Sequence, residues 1–410
     1  MFMRRASCLF LSLLLLLMTF TLAACLERDT LPYIPPVTKL SNNIKITVDP
    51  RVELIAIVQY LSQYNQLMTA AEFSYRSDVD TYFHQYRNHE AVTMYDKMTK
   101  TGFIFSTPAT FALGLTDSLY LDDSVHIADH VVTGGGGKEQ LKQFARALRE
   151  FCRDSKYANF FNAHEDYYRD NLLQVAAILG ETDYITELQD YYGMEYQSFT
   201  IIPVPLYGGG GGFGPNIERM DRVDAYCILL PFDDETSGDV PVYGNKDVLK
   251  LLLRHEFSHS FVNRITNMHM DEVAQYEHLL APIREEMEDL NYGTWVTCLN
   301  EHIVRAVTVR LAYADSPREG SKALDRELSE GFIYTKVLAE ALKEYEDNRD
   351  TYPDFISFYP RLLEALGKHG DGSAASNASK GESAKANRPQ ACFCYSPLPA
   401  RYWASSARRV

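Results

Sequence analysis

Five consecutive residues, His255-Glu256-Phe257-Ser258-His259, have the types and spacing to hold a metal ion and use it. Residues i and i+4 lie on one face of an α-helix about one turn apart, so two imidazoles spaced this way can converge on a single cation. Glu256 follows the first histidine by one position. Its carboxylate can then take a proton from a water on the ion as that water attacks a carbonyl. The HExxH pattern therefore predicts His255 and His259 as metal ligands, Glu256 as the general base and Zn2+ as the cofactor. A second stretch, His164-Glu165-Asp166-Tyr167-Tyr168, begins the same way but has Tyr168 where the second ligand should stand.

Catalytic zinc takes three protein ligands and keeps one position open, so a third ligand must come from elsewhere. The downstream candidates are Glu301 in Asn300-Glu301-His302, His302 itself, and the acidic run Glu285, Glu286 and Glu288, which also fits a solvated helix face. The metzincin extension would require Gly at 262 and His at 265; Val262 and Ile265 exclude it. Asn300-Glu301 on a second helix resembles the glutamate ligand of the gluzincin clan of zincin peptidases, which implies Glu301 as the third ligand. Arg305 stands where that clan often carries Asp. Acyl hydrolysis also needs a donor for the oxyanion. Zincins often take one from a Tyr or His after the third ligand, and Tyr334 is the candidate here, with plain packing as the alternative.

The elements that must position these residues are legible in the surrounding pattern. Asp247–Asn263 reads as a strongly apolar helix behind Gly244-Asn245, with Asp247 in its first turn. Upstream, Ser198–Leu206 is β-branched and apolar but carries Pro203 and Pro205, which predicts an edge strand. Asp224–Leu230 predicts a second strand. Between them runs Gly208–Gly212, which could line a substrate cleft or form a surface hairpin. The region before Gly193 is helical in pattern, with a helix starting at Asp49-Pro50 and others over Asp80–Lys100, Lys138–Ser155 and His164–Leu179. Gly134–Gly137 lacks the Lys-Ser/Thr of a phosphate-binding loop and reads as a turn. The expected class is α+β, with a small mixed sheet, an active-site helix and a mainly helical remainder.

Arg4 and Arg5, an apolar run from Leu9 to Leu22, and Leu22-Ala23-Ala24-Cys25 form a secretory signal. A cysteine at that point resembles the lipobox of bacterial lipoproteins. This implies cleavage after residue 24, a lipid on Cys25, and a cell-envelope location, with Leu26 fitting outer-membrane sorting. Loss of the signal removes two arginines and no acid, taking the net charge from −15 to −17, which excludes nucleic acid as a partner. Cys152, Cys227 and Cys298 are odd in number and lack CxxC spacing, so buried thiols are expected rather than a disulfide framework.

The domain plan is a signal peptide at 1–24, a tether at 25–45, a helical part at 46–195, a zincin-like catalytic part at 196–368 and a disordered or aberrant tail at 369–410. Beyond the zinc motif, Asp49-Pro50-Arg51-Val52-Glu53-Leu54, the glycine loop, His255–Asn263 and Asn300-Glu301 with Arg305-Ala306 resemble an uncharacterised family of bacterial lipoproteins, known only as a domain of unknown function, over most of residues 45–365. The expected activity is peptide-bond hydrolysis outside the cytoplasm on peptides or proteins of the envelope. Two alternatives stand beside it: an inactive zincin-fold lipoprotein that binds peptide or glycan, and a structural envelope lipoprotein.

Overall fold

Asp49 is the N-cap of the first helix: its side chain accepts from the Arg51 backbone N–H at 2.9 Å, and Pro50 occupies the first turn, where a missing N–H costs nothing. The computed structural model describes residues 31–39, 44–64, 67–220, 222–232 and 236–377. The expected signal peptide, Cys25 and the part of the tail beyond 377 lie outside the described residues.

Among the described residues, nine α-helices precede the main strands: α1 (Pro50–Leu61), α2 (Ser74–Phe83), α3 (Glu90–Met98), α4 (Ser106–Leu113), α5 (Asp129–Gly134), α6 (Lys138–Ser155), α7 (Tyr157–Ala163), α8 (Glu165–Leu179) and α9 (Ile185–Tyr192). After the strands come α10 (Lys246–Met268), α11 (Met270–Ala274), α12 (Arg284–Asp289), α13 (Trp295–Asp315), α14 (Pro317–Ser329), α15 (Thr335–Asp347) and α16 (Phe355–Asn377). The helix expected over Asp80–Lys100 is broken in two. His89 caps the second piece, accepting from the Ala91 N–H through Nδ1 at 3.1 Å. The last helix runs on to Asn377, past Gly367, where the apolar periodicity fades.

Six strands form one mixed sheet: β1 (Val37–Lys39), β2 (Ile44–Ile46), β3 (Ser198–Pro203), β4 (Gly211–Phe213), β5 (Asn216–Arg219) and β6 (Arg222–Leu230), in the order β1-β2-β3-β6 with β4 and β5 both on β6. β2, β3 and β6 run parallel, with Ile44 opposite Phe199 and Ser198 opposite Asp224. β1 is antiparallel to β2, and β4 and β5 are antiparallel to β6.

Two expectations are corrected here. Ser198–Leu206 is not an edge strand; β3 is central, between β2 and β6. Its proline is tolerated because β2 ends at Ile46 and Thr47 N–H donates to Ile201 O, so Pro203, two residues further along and opposite Leu229 of β6, faces no strand on its β2 side. The expected tether at 25–45 contributes β1 and the first two residues of β2. β2 pairs with β3, so the two halves of the chain share one sheet. The edge position falls to the glycine-rich β4 and to β5. The class is α+β, mainly helical with a small mixed sheet.

Candidate metal centre

α10 presents different chemistry on each face. Asn245 caps it, accepting from the N–H groups of Asp247 and Val248, both at 3.1 Å. Phe257 and Phe261 turn toward the sheet: Phe257 meets Phe199 edge-on at 5.3 Å, and Phe261 stacks on Tyr192 at 4.4 Å and Tyr196 at 4.3 Å. Two residues before Phe257, about 200° around the helix, His255 faces away from that aromatic packing, with His259 one turn on. α13 packs along this second face. Glu256 lies between the two faces, against the glycine strand. A Cβ on Gly212 would sit 3.0 Å from its Cγ, and one on Gly214 would sit 1.9 Å from its carbonyl oxygen. Only glycine lets β4 and the following turn approach this closely.

His255 Nε2 and His259 Nε2 are 3.2 Å apart. Glu301 Oε1 lies 3.2 Å from His259 Nε2, and Oε2 lies 3.7 Å from His255 Nε2. One ligand atom from each residue lies within 4.8 Å of the others. Two ligands at about 2.05 Å from a tetrahedral zinc are themselves roughly 3.3 Å apart, so this His-His-Glu donor set has the spacing a Zn2+ site needs. The arrangement suits a borderline-soft divalent cation better than Mg2+ or Ca2+, which favour all-oxygen shells.

Glu301 and the helices that carry the cluster are fixed from outside it. Arg305, one turn after Glu301, donates from Nε to Glu301 Oε2 at 3.2 Å and from an NH group to Glu327 Oε2 at 2.6 Å. Its guanidinium lies 3.6 Å over the Phe332 ring. Arg254, next to His255 and 1% exposed, bridges Asp315 at 2.6 Å and Glu187 at 2.8 Å, tying α10 to α13 and α9. Thr266 donates to Asn300 Oδ1 at 2.5 Å and meets the Tyr359 hydroxyl at 2.7 Å, which fixes α13 against α10 and α16.

Burial sets the electrostatics. It pushes the Glu256 carboxyl up to about 8, although the His259 charge opposes the rise. Burial works the same way on Glu301, but the charge and hydrogen bond of His259, followed by the Arg305 charge, win and hold it well below the usual carboxylate range. Burial drives His255 well below its ordinary value. His259 is raised despite burial, because Glu301 faces it.

His255, Glu256, His259 and Glu301 are thus brought together. His302 is not in the cluster: its Nδ1 pairs with Cys298 O at 2.8 Å, and burial lowers it to about 4. Glu285, Glu286 and Glu288 lie exposed on α12. Tyr334 is buried outside the cluster; its hydroxyl donates to Leu279 O at 2.7 Å and its ring packs on His302. The role of Arg305 was not anticipated. Its i,i+4 spacing from Glu301 was the available signal. The described cysteines form no disulfide, and among the described residues no helix is long and apolar enough to cross a membrane.

Fold and site together define an α+β protein with a buried His-His-Glu cluster across two packed helices, beside a glycine-rich sheet edge. Compared with known families, residues 44–365 match the family described as a domain of unknown function (DUF4932), and the chain belongs to it. No curated protein and no solved structure matches it.

Proposed function

We propose that this protein is a zinc-dependent peptidase of the zincin type, gluzincin-like in its third ligand, that hydrolyses peptide bonds outside the cytoplasm. The observation that carries the reading is the convergence of His255, His259 and Glu301 ligand atoms within 4.8 Å, with Glu256 at their side. The parallel β2–β3–β6 core, its antiparallel β4 and β5 border, and the HExxH helix packed on them support the zincin assignment. The lipobox at Cys25 supports a lipid-anchored protein of the bacterial envelope, with peptides or proteins there as substrates.

His255 and His259, through Nε2, and Glu301, through a carboxylate oxygen, would hold the ion. Zn2+ held there supplies Lewis acidity to the scissile carbonyl and to the attacking water. Glu256 takes the water's proton on its carboxylate and returns it to the leaving amine. A carboxyl raised to about 8 by burial is a weak acid suited to that return, and a nearby dication would bring it toward neutrality.

Zinc per chain, measured by mass spectrometry on the purified protein, should be near one for wild type and lost in Glu301→Ala. A peptide library should be cut by wild type, and Glu256→Gln should retain zinc but lose at least about 10²-fold in rate. The absence of stoichiometric zinc in wild type would refute the reading. Zinc with no Glu256-dependent cleavage would instead favour a binding lipoprotein.

A further inference from the structure

We propose that Arg305 is a positioning residue that makes Glu301 a one-oxygen ligand and thereby tunes the site for Zn2+. The inference rests on the metal-site reading above and adds to it the identity of the residue that sets the third ligand's geometry.

Glu301 has two oxygens, and the structure treats them differently. Oε1 points to His259 Nε2 at 3.2 Å and is the oxygen turned to the shared centre. Oε2 accepts from Arg305 Nε at 3.2 Å and is 3.7 Å from His255 Nε2. A carboxylate with one oxygen so engaged offers its other oxygen to a cation, which favours a compact four-coordinate site over the bidentate binding that larger oxygen-seeking ions use.

Arg305 cannot drift from this role, because it is held on three sides. Glu327 takes one NH group at 2.6 Å, Phe332 covers the guanidinium face at 3.6 Å, and Glu301 takes Nε. Both Arg305 and Glu327 are 1% exposed. Glu327 at 2.6 Å and Glu330 at 3.9 Å offset much of the Arg305 charge, so beside the charge it shows to Glu301 the arginine contributes position. A lysine has a single charged point and cannot bridge Glu301 and Glu327 as the planar fork does.

The test uses the full chain. Zinc affinity is measured by competition with a chromophoric chelator, and the visible spectrum is recorded with Co2+ in place of zinc, for wild type, R305K and the charge-neutral pair replacement R305M/E327Q. Far-UV circular dichroism checks that each is folded, and R305K, which keeps the charge and most of the volume, guards against loss of folding in the double variant. The expected result is a zinc affinity about 10- to 100-fold weaker in both variants. Their Co2+ bands should also weaken as coordination expands beyond four, a signature that a merely structural arginine would leave alone. Wild-type affinity and an unchanged Co2+ spectrum in either folded variant would overturn the proposal while leaving the metal site standing. If wild type itself binds neither metal stoichiometrically, the metal-site reading falls and takes this inference with it.

Discussion

Glu53 offers a test of how this fold handles buried charge away from the His-His-Glu cluster. It lies on α1, 1% exposed, with the Tyr75 hydroxyl donating to its Oε1 and the Tyr75 and Tyr168 hydroxyls 2.6 Å apart. The groups within reach of its charge are phenols: Tyr75, Tyr157, Tyr167, Tyr168, Tyr207 and Tyr243. Burial, partly offset by the Tyr75 hydrogen bond, lifts its pKa from an ordinary 4.5 to about 7. The folded chain therefore keeps a proton that the unfolded chain releases above pH 4.5. Its stabilising effect is complete below that pH and is lost as pH rises through 7. At up to about 1.4 kcal/mol per pH unit, the full loss is about 3 kcal/mol. Glu53→Gln keeps the shape and an acceptor for Tyr75 but cannot ionise. Urea unfolding of both proteins between pH 4 and pH 8 should show a stability difference near zero at the acid end. By pH 8 it should reach about 3 kcal/mol in favour of the variant. A difference that stays constant with pH would refute the argument, since groups common to both chains cancel in the comparison.

Gly214→Ala should destabilise the fold by about 1–3 kcal/mol and weaken zinc binding, because the new Cβ would stand 1.9 Å from the Glu256 carbonyl oxygen. Gly209→Ala, at φ +92° with nothing within 4 Å of its Cβ, should cost stability without touching zinc; titration of both variants separates crowding from backbone strain. Tyr334→Phe removes the hydrogen bond to Leu279 and should lower unfolding free energy by about 1 kcal/mol, with turnover per folded molecule unchanged in a peptide assay. Zinc at about a hundred times its dissociation constant should raise stability by about 2.7 kcal/mol, and a chelator should reverse that shift in a thermal melt.

What the sequence disclosed about the site follows how local each relation is. His255, Glu256 and His259 were legible because one helical turn fixes their geometry, and the cap at Asn245 announces that helix. Glu301 was reachable only through resemblance, since nothing in its own neighbourhood says that α13 will lie along the histidine face of α10. Ser198–Leu206 was misplaced for a related reason. Prolines report where backbone N–H groups are missing, but not that β2, some 150 residues earlier, ends just short of Pro203. The glycine run stands out in the sequence, while its purpose depends on how near α10 lies to Gly212 and Gly214.

The two glutamates at the centre show what only the assembled fold can assign. Glu256 and Glu301 are both buried, and burial alone would raise both carboxyls. Glu301 escapes because His259 and Arg305 each approach it to 3.2 Å, so it stays ionised. Glu256 faces a glycine strand that brings no charge, and the Glu301 anion adds to its rise. Paired carboxyls driven in opposite directions separate a fixed anion from a group that exchanges a proton near neutrality. Under the proposed function the glycines of β4 would serve the chemistry as well as the packing. A side chain there would either displace Glu256 or bring a dipole to it, and the proton-carrying carboxyl depends on having neither.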